Sequence, residues 1–341
     1  MLERLQQQLT HRISTLPILV LMPHSRCNCR CVMCDIWKAN HVKQELTTED
    51  LAPHLGAFKE LKVKRVALSG GEALLHANLW SFCKMLKELD IHISLLSTGL
   101  TLRHHAEDVV NHVDDVIVSI DGSERTHDKV RNIPGAFQKL REGVNALKAS
   151  KPSFKVTGRC VIQKQNFRDF ENIVLAAKEM RLDQISFLPA DVSSHAFNRP
   201  EAWGDAKIND VALTLDEADE LGRLLEQSFE KFSAAYKHEF IVEAPSKMTD
   251  IAQYYRALHG RNGFPKKKCN APWISAVVEA NGDVRPCFFH EAYGNLHQGD
   301  FKEILNRPKS IAFRRELNIR SNPTCKACVC ALHVGWWASV R

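Results

Sequence analysis

The chain has 341 residues, of which 44% are hydrophobic and 25% are charged, and its formal net charge is +6 at pH 7. This length can bury a full core, and the mild, scattered positive charge gives no reason to expect a nucleic-acid partner. No apolar stretch is long enough to span a membrane and the first residues lack the apolar run of a signal peptide, so we expect a cytoplasmic protein with no membrane partner.

Short apolar runs alternate with amphipathic stretches over the first two thirds of the chain. The apolar runs predict six strands, at residues 17–22, 63–69, 92–97, 115–119, 155–162 and 184–188. The amphipathic stretches predict helices at residues 79–89, 102–113, 136–148, 167–180 and 215–235, and residues 47–50 are typical of a helix start. Six β–α units in a row indicate an α/β fold with a parallel sheet, whose functional groups collect at the carboxyl ends of the strands.

The alternation of predicted strands and helices ends near residue 236, which we predict to be a domain boundary. Residues 1–236 would form a core domain and residues 237–341 a small domain rich in cysteine. Within the second domain, residues 274–284 predict a β-hairpin with an Asn-Gly turn. The polar segment 190–211 predicts a long loop, which either covers the mouth of the fold and touches substrate or is a surface insertion.

Eleven cysteines in a reducing compartment indicate metal binding rather than disulfides. Four of them lie at positions 27–34 and five at 269–330, whereas Cys83 and Cys160 stand alone and are interpreted as buried apolar residues. Cys27, Cys31 and Cys34 follow the first predicted strand with the spacing Cys-x3-Cys-x2-Cys. Three thiolates would leave one coordination position of a metal centre open for a ligand.

This cysteine spacing, with Ser69-Gly-Gly-Glu72 after the second strand, resembles the signature of the radical S-adenosylmethionine (SAM) superfamily. The resemblance implies a partial (β/α)6 barrel over roughly residues 15–235. It also implies that Cys27, Cys31 and Cys34 hold a [4Fe-4S] cluster whose fourth iron binds SAM. Reductive cleavage of SAM would then give methionine and a 5′-deoxyadenosyl radical, which takes a hydrogen atom from the substrate.

The same resemblance assigns SAM contacts to residues in or just after the strands. These contacts are Gly70, Gly71, Glu72, Ser97, Ser119, Asp121 and Arg159. For most of them the alternative is an ordinary residue of a strand-ending turn. The run at residues 127–131 also resembles the family, but as a structural loop, and it is left out of the predicted site.

Two residues depart from the family pattern. Met33 stands where an aromatic residue is common, and Met can pack against adenine in its place. Cys29 is additional within the first spacer and is not predicted to be a ligand. A four-thiolate site for zinc or another metal, with Cys29 included, is the alternative.

The C-terminal cysteines resemble the SPASM domain and its shorter relative, the twitch domain. Cys269 and Cys287 flank the predicted hairpin, and Cys325-Lys-Ala-Cys-Val-Cys330 follows later. Five cysteines are fewer than a full SPASM domain carries, so the resemblance implies one auxiliary [4Fe-4S] cluster. Its ligands would be Cys269, Cys287, Cys325 and Cys328, with Cys330 spare or replacing Cys328. A zinc ribbon on the same four cysteines is the alternative.

The resemblance implies a radical SAM enzyme with oxidoreductase chemistry, whose auxiliary cluster accepts an electron from the substrate radical. An electron donor such as flavodoxin or ferredoxin would be its partner. The short segment before the first strand favours a small metabolite over a peptide as substrate. The alternatives are a peptide-modifying maturase of the SPASM type and a non-enzymatic redox regulator that binds metal.

The lysines at 266–268 are interpreted as solvated charge, with attraction of an anionic group as the alternative. No catalytic acid or base is identified.

Overall fold

The fold is known from a computed structural model, which describes residues 6, 7, 9–197, 199 and 201–335. The outermost ends of both predicted domains therefore lie outside the described residues. One sheet of nine strands runs through the molecule in the order β6-β5-β4-β3-β2-β1-β7-β8-β9. The strands are β1 (Ile18–Leu21), β2 (Arg65–Leu68), β3 (His92–Ser97), β4 (Asp115–Ser119), β5 (Lys155–Ile162), β6 (Gln184–Pro189), β7 (Ser275–Val278), β8 (Asp283–Arg285) and β9 (Gly294–Asn295).

The six predicted strands are confirmed, and each pairs in parallel with its neighbour in the sequence from β1 to β6. They form the predicted partial (β/α)6 barrel. Because all six point the same way, their carboxyl ends lie along one rim of the sheet. In β1, Leu19 and Leu21 are fully buried while Ile18 and Val20 on the other face are only half-buried. At β1, one face of the sheet is thus packed into the core and the other is partly exposed.

The predicted hairpin consists of β7 and β8, joined by a turn at Asn281 and Gly282. The sequence did not predict where it docks. Strand β7 pairs in parallel with β1, with Ser275 opposite Ile18. The cysteine-rich part of the chain therefore extends the barrel sheet directly. The domain boundary at residue 236 stays a prediction.

Helices cover the sheet and fill the C-terminal part. They are α1 (Thr48–Leu51), α2 (Leu55–Glu60), α3 (Leu79–Lys87), α4 (Ala106–His112), α5 (Glu124–Arg131), α6 (Ala136–Ser150), α7 (Phe170–Glu179), α8 (Asp205–Val211), α9 (Leu215–Lys231), α10 (Ser233–Lys237), α11 (Pro245–Leu258), α12 (Ala271–Ile274), α13 (Phe301–Asn306), α14 (Pro308–Glu316) and α15 (Pro323–Ala327). Short 3₁₀ turns lie at Ile36–Ala39, Ala52–His54, Ala73–Leu75, Leu102–His105, Phe167–Asp169 and Leu296–Gln298.

Helix boundaries follow local chemistry. Thr47 caps α1 in a reciprocal capping box with Asp50, as the sequence indicates. Two predicted helices begin with a 3₁₀ turn, before α4 and α7, and the long helix predicted at 215–235 is interrupted at Phe232. Helix α11 was not predicted. It packs against α9 and β6 and buries Tyr254 and Tyr255. Among the described helices, none has the length and apolar character needed to cross a bilayer.

Candidate functional site

The first cysteine loop follows β1 and is held by hydrogen bonds to α5 and to Asn40. Arg30 N donates to the Arg131 carbonyl at 3.1 Å and Val32 N donates to the Val130 carbonyl at 3.1 Å, which ties the loop to the end of α5. Earlier in the loop, the backbone N–H of Cys27 donates to the side chain of Asn40 at 3.0 Å. All eleven cysteines are free thiols, as a metal-binding interpretation requires.

Cys31, one of the three predicted ligands, has polar side chains around it. Arg131 Nη1 donates to Cys31 Sγ at 3.5 Å. A hydrogen bond from the Cys29 thiol lowers the pKa of Cys31, with a further contribution from Arg131 and against the effect of burial. Cys29 itself is 1% exposed. The exclusion of Cys29 from the cluster ligands stays a prediction, but its thiol donates a hydrogen bond to Cys31.

The Gly-Gly-Glu segment after β2 packs directly on the cysteine loop. A Cβ on Gly71 would lie 2.0 Å from the Arg26 carbonyl oxygen, and Gly70 has φ +105°. Glu72 N donates to the same Arg26 carbonyl at 2.9 Å. The glycines are therefore required because the chain approaches its own backbone just before Cys27, in addition to any approach of a ligand.

Glu72 is fully buried between strand ends. Its Oε2 accepts hydrogen bonds from the N–H and the hydroxyl of Thr98, both at 2.6 Å, and from the Ser97 hydroxyl at 3.2 Å. Its Oε1 accepts one bond, from Leu74 N at 3.3 Å, which leaves acceptor capacity for an ammonium group. Burial raises the pKa of Glu72. Thr98 is not among the predicted contacts, although it makes the two shortest bonds to this carboxylate.

Asp121, at the end of β4, is also fully buried. Its Oδ1 accepts from Val161 N at 3.0 Å, and its Oδ2 forms an ion pair with Arg131. Its backbone N–H donates to His127 Nδ1 at 3.1 Å, and burial lowers the pKa of His127 to about 3, so the ring is neutral and can accept. Asp121 therefore reaches the cysteine loop through Arg131.

The run 127–131 was interpreted from sequence as a structural loop outside the site. In the structure it lies in helix α5, and Arg131 at its end contacts both Cys31 and Asp121. The resemblance of this run to the family was the available signal. The spacing alone could not reveal that the helix ends against the cysteine loop.

Ser119 and Arg159 are opposite each other on β4 and β5. Both are half-buried, and within the described residues Arg159 Nε has no hydrogen-bond partner. A guanidinium in this position suits a carboxylate ligand, as the sequence predicts.

A large cavity of about 880 Å³ opens at the carboxyl ends of the strands. Its walls include Met22 and His24 after β1, Gly70 and Gly71 after β2, residues 35–44, residues 195–204 and the hairpin turn. The cavity thus lies where the two cysteine-bearing parts of the chain approach one another.

The predicted loop at 190–211 forms one wall of this cavity, with Asn198 and Pro200 outside the described residues. Arg199 is buried and pairs with Asp191 at 2.7 Å. Trp203 Nε1 donates to Asp35 at 2.7 Å, one residue beyond Cys34. The Phe197 ring stacks on Phe288, with ring centroids 6.4 Å apart. The loop therefore joins the first cysteine loop to the C-terminal region.

The second cysteine group lines a smaller cavity of about 100 Å³, and all five C-terminal cysteines contribute to it. They are Cys269, Cys287, Cys325, Cys328 and Cys330. His290 Nε2 lies 3.4 Å from Cys325 Sγ. Val20 and Val277 place this cavity on one face of β1 and β7, and Phe288 lines both cavities.

Lys267 corrects the interpretation of the lysine run as solvated. Its Nζ donates to the carbonyl oxygens of Lys326 at 3.0 Å and of Cys328, whereas Lys266 and Lys268 are exposed.

The donor chemistry of both groups fits iron–sulfur clusters. Thiols that converge on a cavity, with a cation beside them, suit thiolate ligation. Burial raises the pKa of Cys287 and of Cys34 to about 12, so deprotonation there needs a compensating positive charge such as iron. Over the described ranges, no three Cys, His, Asp or Glu side chains are grouped so that they could hold a single metal ion.

Comparisons with known proteins agree with this arrangement. A sequence model of the radical SAM superfamily matches residues 21–177, and a model of the iron-sulfur cluster-binding domain SPASM matches residues 269–329. Pre-heme d1 synthase of Dinoroseobacter shibae is 26% identical over 92% of this chain and 79% of its own length. The sporulation killing factor maturation protein SkfB of Bacillus subtilis is 23% identical over 80% of this chain and 61% of its own length.

Among solved structures, SuiB of Streptococcus suis bound to precursor peptide SuiA has a TM-score of 0.66 at 14% identity. The likeness covers 96% of this chain and 74% of that chain. At this identity it is a likeness of fold.

Proposed function

Because the chain belongs to the radical SAM superfamily and carries a SPASM cluster-binding domain, we propose that it oxidises a small, non-peptide substrate. The cofactors are two [4Fe-4S] clusters and SAM. When bound, the first cluster and SAM supply a 5′-deoxyadenosyl radical, and the auxiliary cluster supplies an electron acceptor. The protein binds these cofactors and the substrate and positions them relative to one another.

We assign Cys27, Cys31 and Cys34 to the first cluster. Cys269, Cys287, Cys325 and Cys328 are assigned to the auxiliary cluster, with Cys330 as the residue that could replace Cys328. What supports the second assignment is that all five cysteines line one cavity. Cys330 N donates to Cys328 Sγ at 3.3 Å, a contact suited to supporting Cys328 as the ligand.

SAM would be held along the rim of the barrel. Within the described part of the chain, Glu72 Oε1 accepts one hydrogen bond, which leaves room for the amino group of SAM. Over the same residues, Arg159 Nε has no hydrogen-bond partner and suits the carboxylate of SAM. Gly70 and Gly71 line the large cavity and would allow close approach of the nucleoside. We also assign Ser97, whose hydroxyl donates to Glu72, and Ser119, which lies opposite Arg159, as SAM contacts. Asp121 contributes through Arg131, by fixing the cysteine loop.

The observation that carries the proposal is that the two cavities share Phe288. A substrate in the larger cavity would lie beside the first cysteine loop and one aromatic ring away from the second cysteine group. That arrangement suits hydrogen abstraction on one side and removal of an electron on the other. Its net result is a two-electron oxidation, in which the substrate loses a hydrogen atom, an electron and a proton.

The preference for a non-peptide substrate draws on the relatives. The similarity to pre-heme d1 synthase covers 92% of this chain at 26% identity, and that to SkfB covers 80% at 23% identity. Peptide modification is the second candidate, and the similarity to SkfB favours it. A reductant such as flavodoxin or ferredoxin would supply the electron for SAM cleavage, and eleven free thiols are in keeping with a reducing, cytoplasmic setting.

The two candidates can be separated by isotope transfer. The reconstituted protein is incubated anaerobically with SAM, dithionite and extract from cells grown in deuterated medium, split into a low-mass metabolite fraction and a peptide fraction. We expect deuterium to enter 5′-deoxyadenosine from the low-mass fraction, unaffected by prior protease treatment. Transfer only from the peptide fraction, abolished by protease, would establish the peptide candidate instead. The C31A variant is the control for transfer independent of the cluster.

A further inference from the structure

Lys267 is a half-buried cation beside the auxiliary site. Its ammonium group donates to the carbonyl oxygens of Lys326 and Cys328, and its side chain lines the cavity of the five cysteines. These acceptors belong to the turn at the end of α15 that presents Cys325 and Cys328. Lys267 therefore both tethers that turn and places a positive charge beside the thiols.

Among the residues that the structure describes, no carboxylate is in contact with this charge. Backbone carbonyls carry no net charge, and over the described part of the chain Lys267 forms no ion pair with a carboxylate. Asp250 acts on Lys267 from beyond ion-pair distance, and it is itself paired with Lys247 at 3.1 Å.

The first site is arranged differently. Its buried cation, Arg131, contacts Cys31 but also pairs with the fully buried carboxylate of Asp121. The positive and negative charges largely cancel beside the first cluster. The two sites therefore differ in the cation closest to their thiols: Arg131 is paired with a carboxylate, whereas Lys267 forms no ion pair among the described residues.

Reduction adds a negative charge to a cluster, so a fixed positive charge nearby favours the reduced state, and more strongly in a poorly solvated site. From this asymmetry we propose that Lys267 is a positioning residue that holds the reduction potential of the auxiliary cluster above that of the first cluster. Electrons would then pass toward the second site. The direction of electron flow rests on the proposed function. The reduction potential of the auxiliary cluster, however, can be measured on the cluster-loaded protein without substrate.

The test is a potentiometric titration of the full-length reconstituted protein, followed by electron paramagnetic resonance. The first cluster is the internal reference, and a C31A background isolates the auxiliary signal. Lys267→Met and Lys267→Gln remove the charge, Gln keeping a hydrogen-bond donor, and Lys267→Arg keeps the charge. Lys266→Met and Lys268→Met are matched controls, because each removes an exposed lysine one position away.

We expect the two neutral variants of Lys267 to shift the one-electron equilibrium of the auxiliary cluster about tenfold toward the oxidised form, about 59 mV. Lys267→Arg and both controls should shift it less than about threefold. A wild-type potential in Lys267→Gln with full iron content would overturn the proposal. So would loss of the auxiliary cluster in all three Lys267 variants, because Lys267 would then act as a tether alone. Failure of the wild type to oxidise any substrate would count against the proposed function and would not alter these potentials.

Discussion

Arg131 Nη1 donates a hydrogen bond to Cys31 Sγ at 3.5 Å, while its other terminal nitrogen pairs with Asp121. The carbonyl of Arg131 also accepts the N–H of Arg30, within the cysteine loop. One side chain and its own backbone thus join the end of β4, the end of α5 and the first cysteine group. The position of the first cysteine loop therefore depends on this buried ion pair.

Arg131→Met should destabilise the protein strongly, because it leaves the Asp121 carboxylate buried without its partner. We expect the free energy of unfolding to fall by about 3–5 kcal/mol. The double variant Asp121→Asn/Arg131→Met removes the stranded charge and should recover part of that loss. Urea denaturation of the wild type, the single variant and the double variant measures these free energies of unfolding. A loss below about 1 kcal/mol in the single variant would mean that the pair behaves like an exposed one.

Gly71→Ala should displace the first cysteine loop, because the new Cβ would meet the Arg26 carbonyl oxygen at 2.0 Å. We expect a loss of about 1–3 kcal/mol in stability together with lower iron content and less 5′-deoxyadenosine. Gly56→Ala is the matched control, since Gly56 is an exposed residue of α2 with no atom within 4 Å of the new Cβ. It should leave iron content unchanged and stabilise the helix by about 0.5–1 kcal/mol. Equal iron content in the two variants would contradict the packing argument.

Cys31→Ala should abolish formation of 5′-deoxyadenosine, whereas Cys29→Ala should retain it. The reason is that Cys31 is assigned as a ligand, while the Cys29 thiol acts as a donor to Cys31. Iron content and 5′-deoxyadenosine yield of both variants check this. The reverse outcome would show that the ligand set has been wrongly chosen.

His127 should make stability depend on pH. Its pKa is about 3 in the folded protein because of burial, and its ordinary value is 6.5. The folded state therefore binds fewer protons, so the stabilisation is complete above pH 6.5 and is lost as the pH falls toward 3. Between pH 6.5 and 5 the slope should approach about 1.4 kcal/mol per pH unit. His127→Asn keeps an acceptor for the Asp121 N–H without titrating, so it should lack this slope. Anaerobic denaturation measures the slope of the free energy of unfolding against pH for both proteins. Identical slopes in the wild type and His127→Asn would refute the assignment of this pH dependence to His127.

The sequence predicted the six barrel strands closely because each is a short, buried apolar run with polar residues at its end. Both cysteine groups and Gly70–Glu72 were singled out from their spacing and from the family resemblance, and their assignment as site residues stays a prediction. The partner of a strand is not local information, however. The docking of β7 beside β1 depends on residues about 250 positions apart and was not predicted.

Two charged residues illustrate the same limit. Arg131 belongs to a recognisable run, yet its contact with Cys31 spans 100 positions in the chain. Lys267 looks like either neighbouring lysine in the sequence, and only the fold distinguishes it. In both cases the residue type was visible and its partner was not.

The most direct test of the two-site account is one anaerobic experiment on the wild-type protein. After reconstitution, iron and sulfide are counted, and SAM and dithionite are added. We expect about eight irons per chain, as two [4Fe-4S] clusters require, and formation of 5′-deoxyadenosine. About four irons would remove the auxiliary cluster, and well-loaded protein that forms no 5′-deoxyadenosine would contradict radical SAM chemistry.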